Sequence, residues 1–135
     1  MIRCLLLACA WVLGSVVAGP ARAADARAGA AIYERCAACH SLANDRAGPR
    51  HCGLLGRHAG TVPGFDYSEA MKRSGIVWNE GSLDRFLAAP TRVVPGTSMG
   101  YAGVADPVER ANLIAYLKGA GSSPECRCSA GRRPC

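Results

Sequence analysis

The 135-residue sequence is poor in aromatic and charged side chains, and both shortages limit what the protein can be. Aromatic residues make up only 6% of the chain, so a core of this size has to find its bulk elsewhere. Charged residues make up 19% while half of the residues are hydrophobic, which excludes a disordered polar chain. The length allows one ordinary domain and no more.

Lysine is scarce, and Lys72 and Lys118 are the only two in the chain. Arginine nevertheless brings Lys+Arg to 16 against 10 Asp+Glu, a formal net charge of +6. The basic residues are scattered and are not interleaved with aromatic residues in a stripe, so we do not expect nucleic-acid binding. The sequence also contains no internal repeat and no G-x-x-x-x-G-K-[ST] phosphate-binding loop.

The first 23 residues have the pattern of a secretory signal peptide. Arg3 supplies the positive start, residues 4–19 form an uncharged apolar run, and Ala21-Arg22-Ala23 resembles a cleavage site. A retained membrane anchor is the alternative, but the run of 16 residues is shorter than the roughly 20 that are needed to span a bilayer. The sequence therefore predicts cleavage near Ala23, with the mature protein starting at the next residue.

Cleavage at this point leaves 112 residues, a formal charge of +4 and six of the eight cysteines. Lipid attachment at Cys9 is disfavoured because too little apolar sequence precedes it. No second apolar run is long enough to cross a membrane, so we expect a soluble periplasmic protein without stable membrane insertion. Export also implies an oxidising compartment, in which thiols pair or are otherwise consumed.

The pentapeptide Cys36-Ala37-Ala38-Cys39-His40 is a C-x-x-C-H motif, which indicates covalent attachment of a c-type haem. Two thiols at this spacing can add across the two vinyl groups of one porphyrin, and the adjacent imidazole then lies under the iron. A thioredoxin-like C-x-x-C requires a preceding strand, whereas a helical pattern precedes this motif. A zinc site is disfavoured because no second ligand pair occurs at zinc spacing.

Two helices are marked by capping signals. Residues 25–36 carry apolar side chains at helical spacing behind Asp25, a plausible N-cap. Residues 106–119 begin with Asp106 as N-cap, and Glu109 occupies the position that a capping box requires. We expect these two helices to cross, with Tyr116 of the second meeting the glycine and tyrosine of the first.

Glycine and proline dominate residues 41–65, which predicts a long loop without strands. A loop of this size is uncommon in a compact domain unless something other than protein supports it, and a haem would do so. Two short helices are predicted at 68–73 and 79–88, the second ended by Pro90. The domain at 24–121 is thus all-α with three to five helices, followed by a cysteine-containing tail at 122–135.

A haem iron needs a second axial ligand or is left open for a small molecule. The candidates in the mature chain are Met71, Met99, His51 and His58. Met99 follows the Pro95-Gly96-Thr97 turn, which suits ligation, whereas Met71 lies in an amphipathic helix where a core role is expected. The two histidines follow His40 closely, so reaching the opposite side of the iron is hard for His51 and less so for His58. His/Met ligation raises the reduction potential and fits an electron carrier.

The chain resembles a class I c-type cytochrome over about residues 25–119. The matching motifs occur in the family's order: Gly29…Tyr33, Cys36-Ala37-Ala38-Cys39-His40, Gly48-Pro49, Gly53-Leu54-Leu55-Gly56-Arg57, Phe65-Asp66-Tyr67-Ser68, Trp78, Pro95-Gly96-Thr97-Ser98-Met99 and residues 113–117. The resemblance implies a small all-α cytochrome c fold around one covalent haem, with the first and last helices packed crosswise.

The resemblance also implies the roles of particular residues. His40 and Met99 are expected to be the axial ligands, and the carbonyl of Pro49 is expected to accept the ring N–H of His40. Partners for a buried haem propionate are expected at Arg57, Tyr67 and Trp78. Their alternatives are a solvated arginine, a turn tyrosine and a core tryptophan. Thr97 is expected to bond near the ligand or the propionate, with a plain turn role as the alternative.

Two neighbouring residues depart from the family pattern. The family often has an apolar residue where this chain has His51, and the adjacent Cys52 is unusual. Once Cys36 and Cys39 hold the haem, the cysteines left in the mature chain are Cys52, Cys126, Cys128 and Cys135. We expect a disulfide that pins the tail to the 48–56 loop, with Cys52–Cys126 the first guess among three pairings that the sequence leaves open.

The sequence predicts a monomeric one-electron carrier and not an enzyme. It would shuttle between a membrane or dehydrogenase donor and an oxidase, reductase or photosynthetic acceptor. Its positive charge favours weak, salt-sensitive encounters with acidic redox partners. Arginine would have to replace the lysines that steer docking in the family, which leaves the docking face open.

Two other functions are weighed against electron transfer. A peroxidase or small-molecule sensor would have labile or absent Met99 ligation, and His51 and His58 are the only spare histidines for its acid–base chemistry. A structural or metal-storage role is the second alternative for a cysteine-rich secreted domain. A mature mass that lacked one haem would support it.

Overall fold

The computed structural model describes residues 23–129, with the side chains of residues 128 and 129 left out. Within this range the chain is helical and has no strand, and one isolated bridge pairs His58 with Val77. The predicted all-α class is therefore confirmed. The predicted signal segment up to Arg22, the side chain of Cys128 and all of Cys135 lie outside what is described.

Six helices occur among the described residues, in the order α1 (Ala26–Tyr33), α2 (Glu69–Lys72), α3 (Glu80–Ala88), α4 (Pro90–Val93), α5 (Pro107–Ala120) and α6 (Pro124–Ser129). Five of them lie in the domain at 24–121, within the three to five that were expected there. Pro90 ends α3 as predicted, but it also starts α4, because its fixed φ suits the first position of a helix. The sixth helix, α6, lies in the tail.

Helix α1 begins as predicted and ends earlier than predicted. The carboxylate of Asp25 accepts from the backbone N–H groups of Arg27 and Ala28, which makes it the N-cap. After Tyr33 the chain tightens into consecutive turns, in which the N–H of Cys36 donates to the carbonyl of Tyr33 over 2.8 Å. The C-x-x-C-H motif therefore occupies a turn that directly follows the helix.

The predicted capping box of α5 is not formed. Asp106 caps the helix by accepting from the N–H groups of Val108 and Glu109. The Glu109 carboxylate does not return to the cap and instead accepts two hydrogen bonds of 2.8 Å from the Arg35 guanidinium. A charged partner brought close by the fold thus replaces the local one, although such an exposed ion pair contributes little to stability.

Helices α1 and α5 cross at Gly29, as the sequence predicted. A Cβ atom at this position would lie 2.0 Å from the carbonyl oxygen of Asn112 and 2.8 Å from the Cβ of Tyr116, so only glycine allows this approach. The rings of Tyr33 and Tyr116 continue the contact, with centroids 5.1 Å apart. Leu113 of α5, which directly follows Asn112, is 1% exposed and lies in the core.

The tail returns to the long loop through a disulfide. Cys52 and Cys126 are joined, with their Cα atoms 5.2 Å apart, so the structure contains the pairing that was the first guess. The bond fixes α6 to the loop that follows the C-x-x-C-H motif. Among the described residues, no helix has the length and apolar character needed to cross a bilayer.

Gly29→Ala tests whether the helix crossing depends on the missing side chain. We expect the substitution to lower the free energy of unfolding by about 1–3 kcal/mol or more, because the new methyl group overpacks the crossing. The measurement is equilibrium denaturation of the protein.

Gly119→Ala is the matched control, since Gly119 is also helical and no atom lies within 4 Å of its added Cβ. This variant should gain about 0.5–1 kcal/mol from the better helix propensity of alanine. If both substitutions changed the free energy of unfolding by the same amount, the close approach at Gly29 would be contradicted.

Candidate functional site

A cavity of about 490 Å³ lies between the helices and the long loop. All nine residues that were expected to attach, ligate or hold the haem line it, although they come from distant parts of the chain. They are Cys36, Cys39, His40, Pro49, Arg57, Tyr67, Trp78, Thr97 and Met99. Apolar side chains of α3 and α5, among them Phe86 and Leu113, also line it.

Both cysteines of the C-x-x-C-H motif carry free thiols. Cys36 is half-buried and Cys39 is exposed, and neither is paired with another cysteine. Burial raises the pKa of the Cys36 thiol, while the nearby Arg35 opposes that rise. The turn after α1 therefore presents two unpaired sulfurs at one end of the cavity.

His40 is held by one hydrogen bond in a defined tautomer. Its Nδ1 lies 2.7 Å from the carbonyl oxygen of Pro49. A carbonyl can only accept, so Nδ1 carries the proton and Nε2 keeps the lone pair that binds a metal. Burial lowers the pKa of His40, and the hydrogen bond to Pro49 opposes that shift. The ring is thus prepared as a neutral metal ligand.

Gly48 makes room for this arrangement. An added Cβ would lie 2.3 Å from the Cε1 atom of His40 and 2.6 Å from both ring nitrogens. The N–H of Gly48 also donates to the carbonyl of Cys39 over 2.7 Å. The Gly48-Pro49 pair therefore packs its bare backbone against the imidazole and provides the carbonyl that orients it.

Met99 reaches the cavity from a tight turn. Gly96, with a φ of 89°, allows the turn, and the N–H of Thr97 closes it on the carbonyl of Val94 over 3.0 Å. The hydroxyl of Thr97 accepts from the N–H of Met99 over 3.2 Å. Thr97 therefore fixes the backbone of the methionine whose side chain lines the cavity.

Arg57 is a half-buried cation at the cavity wall. Its guanidinium donates to the carbonyl oxygens of Cys52 and Arg50, over 2.9 and 3.0 Å. No carboxylate in the described part of the chain forms an ion pair with it. Burial lowers the pKa of Arg57, while Tyr67, which also lines the cavity, opposes that shift. An anionic group in the cavity would find a ready partner here.

His51 has a role that the sequence analysis missed. Its ring stacks on the ring of His40, with centroids 4.4 Å apart and planes inclined by 20°. Its Nδ1 lies 3.0 Å from the hydroxyl oxygen of Tyr33. Burial above all lowers the pKa of His51 to about 3, with smaller contributions from His40 and Arg57. The departure from the apolar residue that is common in the resembled family was the only signal.

These features fit a covalently bound haem. The cavity has apolar walls for a flat macrocycle, and two free thiols lie beside a neutral imidazole whose Nε2 is unprotonated. A methionine thioether lines the same cavity, and Arg57 offers a cation to a buried carboxylate. One imidazole and one thioether are a donor pair that a c-type haem iron can use, and the described residues contain no cluster of three or more His, Cys, Asp or Glu that could hold a different metal ion.

Gly48→Ala tests the close approach to His40. We expect a loss of about 1–3 kcal/mol in the free energy of unfolding, because the methyl group must displace either the ring or the loop. Gly81→Ala is the control, since its added Cβ meets nothing nearer than 3.5 Å. Denaturation curves that coincide for Gly48→Ala and the unsubstituted protein would contradict the contact.

Comparison with known proteins gives the same answer as the site. A family profile described as Cytochrome c matches residues 26–121. The cytochrome c2 of Blastochloris viridis is 44% identical over 111 residues, which cover 80% of this chain and 87% of that protein. The cytochrome c2 of Agrobacterium tumefaciens is 43% identical over 105 residues, covering 73% and 95% respectively.

A solved structure agrees with these sequence relatives. The cytochrome cH from Methylobacterium extorquens aligns with a TM-score of 0.69 at 40% identity, covering 70% of this chain and 98% of that one. The chain therefore belongs to the cytochrome c family, whose members are electron carriers that bind one c-type haem covalently through a C-x-x-C-H cysteine pair.

Proposed function

We propose that this cytochrome carries single electrons on a haem held through Cys36 and Cys39, with His40 and Met99 as the axial ligands. When bound, the haem supplies a metal that alternates between two oxidation states. The protein residues bind this group, orient His40 and keep water away from it. The observation that carries the proposal is the convergence of a neutral, oriented imidazole and a thioether on one apolar cavity.

The position of His51 supports Met99 as the second ligand. A ring that lies flat against His40 cannot also face His40 across a metal, so His51 is on the wrong side for that role. His58 is exposed, and its backbone is held by the bridge to Val77. Met71 is buried in α2 and also lines the cavity, so it is the remaining rival.

The other cavity residues hold the group and its ligands in place. Pro49 orients His40 through the hydrogen bond at Nδ1, and Thr97 fixes the backbone of the ligand methionine. Arg57, with Tyr67 and Trp78 on the same wall, is the partner that we assign to a haem propionate. The positive guanidinium and the negative propionate would be buried as a pair, which avoids the free-energy cost of burying either charge alone.

The exported form of the protein is also part of the proposal. We place it in the periplasm as a monomer, with residues 1–23 removed as a signal peptide, residues 24–121 as the haem domain and residues 122–135 as the tail. In an oxidising compartment the Cys52–Cys126 bond persists, and it would hold the tail on the domain.

Docking to acidic redox partners is proposed on the basis of one exposed cation beside the attachment motif. Arg46 is exposed, and its guanidinium donates to the carbonyl of Ala37 within the C-x-x-C-H turn over 2.8 Å. Among the described residues it forms no ion pair, in contrast to Arg35 and Arg50. It therefore gives the motif a positive charge that no side chain neutralises.

Met99→Leu tests the second ligand, and Met71→Leu is its matched control. In ferric protein purified from the exported fraction, Met99→Leu should abolish the weak red band of sulfur-ligated iron and lower the midpoint potential, because leucine cannot bind iron. Met71→Leu should keep both properties. Loss of the band in Met71→Leu alone would contradict the ligand assignment.

The intact mass of the same preparation tests two other parts of the proposal, which are cleavage after Ala23 and the attachment of one haem.

Arg46→Gln tests the docking charge, with hexacyanoferrate(III) as a small anionic oxidant of the reduced protein. At low ionic strength we expect the oxidation rate constant to fall by a few-fold, a small share of the roughly tenfold or larger gain that electrostatic steering can give. High salt should remove the difference.

Arg27→Gln is the control for net charge, because Arg27 lies at the opposite end of α1 from the motif. It should slow the reaction less than Arg46→Gln does. Equal slowing by both substitutions would show that net charge alone matters and would contradict a docking role for Arg46.

A further inference from the structure

The face of the His40 ring is covered by a second imidazole. One hydrogen bond restrains the ring, at Nδ1, and the backbone of Gly48 packs against it. A ring held in this way can still tilt towards any side that is left open. The His51 ring lies 4.4 Å away and nearly parallel to it, so it occupies the space into which His40 would tilt.

His51 is itself firmly held. Its backbone N–H donates to the carbonyl oxygens of Ser41 and Leu42, over 3.1 and 3.0 Å, which ties it to the two residues that follow His40. Its side chain is hydrogen-bonded to the Tyr33 hydroxyl over 3.0 Å, and the rings of Tyr33 and His51 also meet edge to face, with centroids 5.6 Å apart. The neighbouring Cys52 is bonded to Cys126 of the tail.

Tyr33 in turn is fixed by the main packing of the fold. It is buried at the end of α1, and its ring packs against Tyr116 of α5 with centroids 5.1 Å apart. A continuous chain of side-chain contacts thus runs from the crossing of α1 and α5 through Tyr33 and His51 to the ring of His40. Each member touches the next, so a displacement of His40 has to displace a residue that is anchored in the core.

We propose that His51 is a positioning residue for His40, and that Tyr33 acts through His51 as its anchor. The flat contact restricts the tilt of the ligand ring, while Pro49 restricts its rotation and sets its tautomer. The inference rests on the proposed role of His40 as the proximal iron ligand. An electron carrier benefits from such restraint, because a ligand that keeps its orientation between the two oxidation states adds little reorganisation to the transfer.

The test measures how fast solvent exchanges the Nδ1 proton of His40 in the reduced holoprotein, by NMR. This proton is shielded while the ring stays against Pro49 and is released when the ring tilts. His51→Leu should speed the exchange by about threefold to tenfold, the range that one aromatic pair contributes. The variant is expected to fold, because the family often has an apolar residue at this position.

Two further variants separate positioning from simple packing. His51→Phe keeps a flat ring and should restore an exchange rate close to that of the unsubstituted protein. Tyr33→Phe removes only the hydroxyl and should speed the exchange by less than His51→Leu does. In the double variant, Tyr33→Phe should add nothing to the effect of His51→Leu, because Tyr33 acts through His51.

His58→Leu is the control, since it makes the same chemical change at an exposed histidine and should leave the exchange rate unchanged. The proposal is overturned if His51→Leu lowers the melting temperature without speeding the exchange, or if the phenylalanine and leucine variants behave alike. A failure of the proposed ligation is detected separately. If His40 does not bind the iron, the NMR signals of its ring in the unsubstituted reduced protein will lack the large shift that a haem causes in its ligand.

Discussion

The arrangement of the site depends on the 2.7 Å hydrogen bond from Nδ1 of His40 to the carbonyl oxygen of Pro49. It requires the chain to turn back within nine residues so that its bare backbone touches the imidazole, which is why Gly48 has no room for a Cβ. The bond places the proton on Nδ1 and leaves the lone pair on Nε2 of a ring that lines the cavity. The loop that provides the carbonyl has no strand in the described residues, so its shape has to be maintained by other contacts.

Arg57 and the disulfide provide two of those contacts. The guanidinium of Arg57 bonds to the carbonyls of Arg50 and Cys52, so one side chain satisfies two polar groups of the loop and also brings a positive charge to the cavity wall. The Cys52–Cys126 bond attaches the same loop to α6. A cross-link across 74 residues restricts the unfolded chain strongly, an effect worth about 2–4 kcal/mol in typical proteins.

Local signals predicted much of this fold, and contacts between distant residues account for what was missed. The caps Asp25 and Asp106 both occur where predicted, because a cap needs only its own next few residues. The capping box at Glu109 was wrong, because Arg35 lies 74 residues away and no local pattern reveals it. The stacking of His51 on His40 was missed for the same reason, since the loop had to fold before the two rings could meet.

The few aromatic residues of this chain are concentrated around the cavity. Those that line the cavity are Tyr33, Phe65, Tyr67, Trp78, Phe86 and Tyr101, and Tyr116 packs on the first of them. Within residues 23–129 none lies elsewhere. The rest of the core consists mostly of leucine, isoleucine and valine side chains, and they pack around a cavity of about 490 Å³ that a haem would fill. The haem is therefore part of the core, and we expect folding and haem attachment to be inseparable in this protein.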